Sequence, residues 1–485
     1  MAEVSRSAGT RSVPRAPGAL PLLGHALGLW RDPLGLLNSL GRYGDLVRLD
    51  LGTLPVYVAT SSELVYEILT AKGRSFEKGR FFERLRPLAG NGLATADGEY
   101  HRRHRRLMQP MFSRQHIEGY SDTMSRKAVE LVESWRPGQR IEVEREMSTY
   151  AVETLASTMF SADFGRPAVE AVRDNLPVLL NHLLVRAASP RLLDRIPIRP
   201  NRDFDAAAAR LRAVIDETIL GARSGGAERD RGDLLSLLLA ARDAEDDGRL
   251  SDTEVRDELS TILFAGVETT TAALSWTLAE LGRHPGIEAE VAAEVRSVVG
   301  EGPVTVGHVP RLPALRRALD EAIRLHSVTL LMRRSTEPVE LAGYRLPAGT
   351  EIAFSLYAIH RDGRVYENPE AYDPDRWLPE RQRAAGLGRE AYIPFGAGSR
   401  KCIGDLYTYT EATIALATIL ARWRLVPAEG GGPREVASTI PRAEGATMVV
   451  TPRSPESSGS PGSSGSSQNP GSPRSSRSPR DRGAA

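Results

Sequence analysis

The chain has 485 residues, 41% of them hydrophobic and 26% charged, the composition of a globular protein with ample apolar material for a core. Its formal charge is +1, from 63 basic and 62 acidic residues, which argues against a nucleic-acid binder that works through bulk electrostatics and leaves room only for a local basic patch. The single cysteine excludes an intrachain disulfide and any zinc or iron–sulfur site that needs several thiolates.

Residues 1–12 are polar and small and are expected to be disordered. The most apolar early stretch, residues 18–30, is broken by Pro21 and His25 and falls short of the roughly 20 residues a bilayer needs. It also lacks the basic lead and small-residue cleavage site of a signal peptide. No membrane span is expected, and the expected location is the cytoplasm. The capping box Ser251-Asp-Thr-Glu254 opens an apolar helical pattern through Leu259, Ile262, Leu263, Leu274 and Leu278, which stops near Gly282 with Pro285 just beyond. A helix of about 30 residues is about 45 Å long, enough to cross a whole domain with its centre buried. Helical patterns recur at residues 287–299 and 313–325. Short extended pieces follow at 339–341, 344–346 and 351–355, punctuated by Gly343 and Pro347-Ala-Gly349, and a last apolar helical run covers 412–420. From Ser454 to Ala485 the chain is rich in Ser, Pro, Gly and Arg, with no aromatic or branched aliphatic residue. That segment cannot bury enough apolar surface to offset chain entropy and is expected to be disordered. The pattern predicts a mainly α protein with small β-sheets, folded as one domain over residues 13–453.

The cysteine sits in Phe395-Gly396-Ala397-Gly398-Ser399-Arg400-Lys401-Cys402-Ile403-Gly404. Glycines at three of these ten places let the backbone approach something flat. Backbone N–H groups, Arg400 and Lys401 would stabilise a thiolate. A thiolate in a loop just ahead of a helix is a suitable axial ligand for haem iron. A structural cysteine would not require this glycine frame, and a nucleophilic one would need a histidine base that no nearby pairing suggests. The stretch resembles the haem-binding loop of the cytochrome P450 monooxygenases. The resemblance implies the long-helix P450 fold, with Cys402 on the iron and Phe395, Arg400 and Gly404 among the haem-binding positions.

Further motifs resemble the same family in the same order. In the middle of the long helix stands Ala265-Gly266-Val267-Glu268-Thr269-Thr270. A glycine in a helix interior costs about 1 kcal/mol, and a local rule broken in a buried helix hints at a site. Gly266 beside Ala265 would leave room for a diatomic ligand. The Thr269 hydroxyl can bond bound oxygen or its own i−4 carbonyl, and Glu268 can carry protons inward. The resemblance makes Glu268 and Thr269 the catalytic acid–alcohol pair. Glu321-Ala-Ile-Arg324, with Arg376 in Tyr372-Asp-Pro-Asp-Arg376-Trp377, looks like the family's buried structural network. His101 and Arg105 lie four residues apart and can face one side of a helix. They resemble the clamp on a haem propionate, and Arg333 matches a second propionate-binding position. The chain departs from the family at Ser327, where a proline is usual, and at Tyr407-Thr408.

The resemblance implies haem b as cofactor, O2 as co-substrate and a hydrophobic small molecule as substrate, foremost a terpenoid or other lipophilic secondary metabolite. A fatty-acid or polyketide hydroxylase is the alternative enzyme. A haem-thiolate binding or sensor protein that does not oxygenate is the alternative from another class, and the presence of both Glu268 and Thr269 weighs against it. Candidate pocket walls are Phe81-Phe82, residues 176–180, Phe264-Ala265, residues 328–332 and Thr439-Ile440. Residues 454–485 hold no nucleotide fingerprint, so electrons are expected from NAD(P)H through a separate ferredoxin or flavodoxin and its reductase, docking near Lys401. A monomer is expected.

Overall fold

The computed structural model describes residues 12–160, 170–176, 178–179, 196–224, 233–243 and 248–453. The expectations for residues 1–11 and 454–485, and for Pro177 and Leu180 in the pocket wall, lie outside the described residues. The helices of ten or more residues begin with α1 (Arg80–Ala89), α2 (Gly98–Met108), α3 (Arg114–Ser134), α4 (Val143–Met159) and α5 (Arg199–Ser224). They continue with α6 (Asp252–Arg283), α7 (Pro285–Val299), α8 (Pro313–Leu325) and α9 (Asp405–Arg422).

The capping box forms as the sequence requires: Ser251 caps Glu254 N–H and the Glu254 side chain returns to the Ser251 backbone. From there α6 runs 32 residues through the centre of the core. Its most apolar window would suit a membrane by length and composition, but 72% of that window is buried inside the protein. The apolar surface is therefore covered by the fold itself, by α4 on one side and by α8 and α9 on others. The α6–α9 contact includes a buried hydrogen bond from Thr270 Oγ1 to Glu411 Oε2 at 3.2 Å.

A sheet stands beside this helical core. Its strands are β1 (Leu46–Leu51), β2 (Leu54–Ala59), β3 (Phe76–Lys78), β5 (Leu331–Ser335) and β8 (Glu351–Phe354), in the order β1-β2-β8-β5-β3. Smaller sheets pair β6 (Val339–Leu341) with β7 (Tyr344–Leu346) and β10 (Arg434–Val436) with β11 (Arg442–Glu444). A third joins β4 (Arg140–Glu142), β12 (Thr447–Pro452) and β9 (Trp423–Pro427). The β3–β5 pairing sets Lys78 directly opposite Arg333, which puts both side chains on one face of the sheet.

The scaffold between α8 and the cysteine loop is polar and fully enclosed. Arg324 bonds Glu321 at 2.9 and 2.8 Å and donates to the carbonyls of His360, Pro369 and Ala371 at 2.7, 2.8 and 3.1 Å. Arg376 reaches the same carboxylate at 3.3 Å, and Asp373 N–H donates to it at 3.1 Å. Two arginines and one glutamate thus pin the segment 360–376 onto α8 with few donors left over. Charges buried this deeply are tolerable only when hydrogen-bonded on every side.

Candidate active site

The cysteine loop is shaped by its glycines. Gly396 and Gly398 have φ of +70° and +69°, the region that glycine enters without steric cost. At Gly398 an added Cβ would lie 2.0 Å from the carbonyl oxygen of Leu69, so no other residue fits without moving the backbone. Cys402 N–H donates to Phe395 O at 2.9 Å, and Gly404 N–H points at the sulfur at 3.3 Å. Three residues on, α9 begins, with the positive end of its dipole toward the thiol. Cys402 is solvent-accessible yet surrounded by protein, the signature of a residue lining a recess. Burial raises its thiol pKa, opposed by the Gly404 N–H and by Arg105 and Lys401. A coordinated cation would reverse that balance, because a metal-bound thiol is deprotonated outright.

A second exposed position lies where none should be. Ala265 is in the middle of the core helix, flanked by buried Leu263 and Val267, and is itself exposed. The adjacent Gly266 faces another helix. A Cβ there would project onto α4, 2.7 Å from Leu155 Cδ2, so this glycine lets two helices approach.

Around His101 the structure gathers cations. The ring is buried and pushed down to about 3 by burial first, then by Lys78, Arg400, Arg105 and Arg333, so it is neutral. Arg333 lies buried on β5, donates to Met332 O at 2.8 Å and is lowered to about 10 by burial and by Arg400. Lys78 is buried opposite it, donates to Leu93 O, and is lowered to about 7 by burial, with Arg333 and Arg400 adding to the shift. Arg400 binds Gly73 O at 3.0 Å, Phe76 O at 2.8 Å and Asp97 at 3.1 Å, with its Nε buried and unpartnered. Arg105 holds the loop directly through Lys401 O at 2.6 Å. Asp97 is the carboxylate that bonds Arg400 and the Lys78 N–H. Of these four basic side chains only Arg400 bonds the Asp97 carboxylate, which leaves room for further negative charge, and phenylalanine provides the apolar side: the Phe82 ring centre lies 5.8 Å from Arg333 and 6.0 Å from Lys78.

These residues fit an iron porphyrin. They offer one thiol backed by an N–H, an exposed alanine in a core helix, and a buried cationic cluster suited to two propionates. Lys78 is the residue that sequence reading missed. Its signal was available, because it is one of only four lysines in a chain of 63 basic residues.

The acid and the alcohol are not brought together. Thr269 Oγ1 donates to Ala265 O at 2.8 Å, the local bond that competes with a catalytic one. Glu268 takes a hydrogen bond from Ser438 Oγ at 3.0 Å and is pushed up to about 7 by burial, against the opposing donors of Ser438, Ile440 and Thr439. Glu411 is a second enclosed acid, pushed up to about 8 by burial, and sequence reading gave it no role. Leu176 and Ile440, expected in the substrate wall, line the cavity on the Glu268 side. Lys401, expected as a docking cation, is paired with Asp405 at 2.6 Å.

Comparison with known proteins agrees with this geometry. The family model described as cytochrome P450 matches residues 14–454. The chain is 43% identical to cyclooctatin synthase of Streptomyces melanosporofaciens, over 86% of this chain and 90% of the relative. It is 38% identical to pentalenene oxygenase of Streptomyces avermitilis, over 91% and 97%. The solved cytochrome P450DA haem domain superposes with a TM-score of 0.82 at 30% identity, covering 92% of this chain and 98% of that one. The chain belongs to the cytochrome P450 family. It is a monooxygenase of that family, working with haem, O2, a lipophilic substrate and a redox partner.

Proposed function

We propose that this P450 inserts one oxygen atom into a C–H bond of a terpenoid, and that it uses haem b. The observation that carries the substrate class is the 43% identity to cyclooctatin synthase, with 39% to cyclooctat-9-en-7-ol 5-monooxygenase of the same organism. The apolar candidate walls Phe81-Phe82, Phe264-Ala265 and residues 328–332 favour a ligand held by shape over one held by ion pairs.

Haem, when bound, supplies O2 activation by two electrons and two protons, one oxygen atom going to the substrate and the other leaving as water. The chain's own residues do the rest. Cys402 would hold the iron, and Lys78, His101, Arg105, Arg333 and Arg400 would hold the propionates. Gly398 lets the loop lie against the Leu69 carbonyl, and the Glu321–Arg324–Arg376 network holds the segment 360–376 on α8. Glu268 takes up protons, and the Thr269 hydroxyl, released from the Ala265 carbonyl, donates at the oxygen-binding position. Electrons come from NAD(P)H through a ferredoxin or flavodoxin whose acidic face meets the arginines near the loop, an encounter that weakens with salt. The activity resides in residues 13–453, acting as a cytoplasmic monomer.

The test is a spectral binding screen of cyclic terpenoids, fatty acids and polyketides, read as the shift in iron spin state when a ligand displaces water. Cyclic terpenoids should give the largest shifts at the lowest concentrations. A stronger response to fatty acids, or to charged polar ligands, would overturn the substrate class. Thr269→Ala should retain its haem but divert most reducing equivalents to hydrogen peroxide. Unchanged coupling of reductant consumption to product would remove Thr269 from the mechanism.

A further inference from the structure

Glu268 opens onto a cavity of about 430 Å³ bounded by α4, α6 and β11. On α6 its wall includes the polar residues Glu268, Thr271 and Ser275 beside Val267 and Ala272; Thr271 and Ser275 lie three and seven residues on from Glu268 and so on its face of the helix. The hydroxyls of Thr271 and Ser275 are buried without a protein partner. Glu142 on β4, Glu144 and Arg145 on α4, Arg173 and Arg442 on β11 are the charged groups that face the same space. Thr269 is one residue further along α6, so its side chain projects about 100° away, and its hydroxyl is bound to Ala265 O.

The Glu268 carboxyl is held on the cavity side from the loop between β10 and β11. Ser438 Oγ donates to it at 3.0 Å, and the same loop supplies the Ile440 N–H and the Thr439 hydroxyl. That loop is anchored independently. Trp276 Nε1 of α6 donates to Pro441 O at 2.7 Å, Thr329 N–H donates to Thr439 O at 2.9 Å, and Arg442 pairs with Glu144 at 2.5 Å. Helix position sets the side of α6 the acid faces, and a fixed donor on a pinned loop holds its carboxyl there.

We infer that Ser438 is a positioning residue that holds Glu268 at the inner end of this cavity, where the acid takes its proton from solvent before delivering it toward Thr269. The inference rests on the reading of Glu268 and Thr269 as the proton-delivering pair. While Glu268 is ionised, Ser438 donates to it and stabilises the charged form. Once protonated, the carboxyl no longer gains from a full anionic acceptor, and its own O–H is free to donate elsewhere.

The experiment is infrared difference spectroscopy of the full-length haem-loaded protein without turnover, following the protonated carboxyl stretch from pH 5 to 9. The Glu268 band is identified by its loss in Glu268→Gln, a substitution that leaves the band of Glu411 in place. The parent band should titrate near pH 7. Ser438→Ala removes a donor to the ionised form, so the midpoint should rise by about one pH unit. Ser438→Thr should restore it to within a few tenths of a unit. A midpoint unmoved by Ser438→Ala would overturn the inference. Peroxide yield separates this from failure of the underlying reading: if Glu268→Gln and Thr269→Ala both leave it unchanged, the proton-delivering pair itself is wrong and the role of Ser438 falls with it.

Discussion

Arg324→Ala is expected to lower stability by about 3–5 kcal/mol, the range for breaking a buried ion pair by removing one partner. The side chain is fully buried and donates to Glu321 and to three backbone carbonyls. After truncation Glu321 would keep only the Arg376 contact at 3.3 Å and the Asp373 N–H at 3.1 Å, and the three carbonyls would lose a charged donor. Domains are stable by roughly 5–15 kcal/mol in total, so a loss of this size takes about a fifth to all of that margin, and the variant should unfold at markedly lower urea. Arg324→Lys should not rescue it, because one ammonium cannot reproduce a planar fork serving four acceptors. Urea denaturation checks this. A loss below about 1 kcal/mol would show that the network is dispensable.

Lys78→Met is expected to weaken haem binding by roughly tenfold to a hundredfold, the worth of one hydrogen bond to a charged group at about 1.5–3 kcal/mol. The same substitution should stabilise the haem-free protein at neutral pH. The sign follows from linkage. Lys78 is held near 7, below its ordinary 10.5, chiefly by burial, so between those values the unfolded chain binds more protons than the folded one. Haem-free stability therefore rises with pH across that window, and Met at 78 should flatten the rise. His101, held near 3 against an ordinary 6.5, acts with the same sign between those two values, so acid destabilises the haem-free protein further. With two propionates bound the repulsion is offset, and the loaded protein should depend less on pH. Thermal unfolding of both forms at pH 7 and 9.5, with haem titration into apoprotein, measures each part. Unchanged haem affinity in Lys78→Met would remove it from the cluster.

What was legible in the sequence was local. The capping box at Ser251, the glycine frame of Cys402, the Glu321/Arg324 spacing and the strands after Gly343 each depend on residues within a few positions, and each is found where expected. What was not legible depends on pairing across long separations. Lys78 joins the site because β3 pairs with β5, which sets it opposite Arg333, 255 positions away. Ser438 meets Glu268 across 170 residues through a loop with no distinctive pattern. Gly266 carried a signal, a glycine misplaced in a helix, but the close approach of Leu155 on another helix that it permits was not readable from its neighbours in sequence. The apolar length of α6 is explained only by the helices that cover it. The Thr269 hydroxyl had two acceptors open to it, and backbone geometry selects the local one.

The reduced carbonyl complex of Cys402→Ser is the most direct measurement of the haem-thiolate assignment. The parent protein should show the red-shifted absorption band of a thiolate-ligated iron, since Cys402 is the only thiol in the chain and lies in the recess beside Arg105. Serine cannot supply that ligand, and the band should vanish in the variant even where haem is retained. Survival of the thiolate-type band in Cys402→Ser would contradict the assignment.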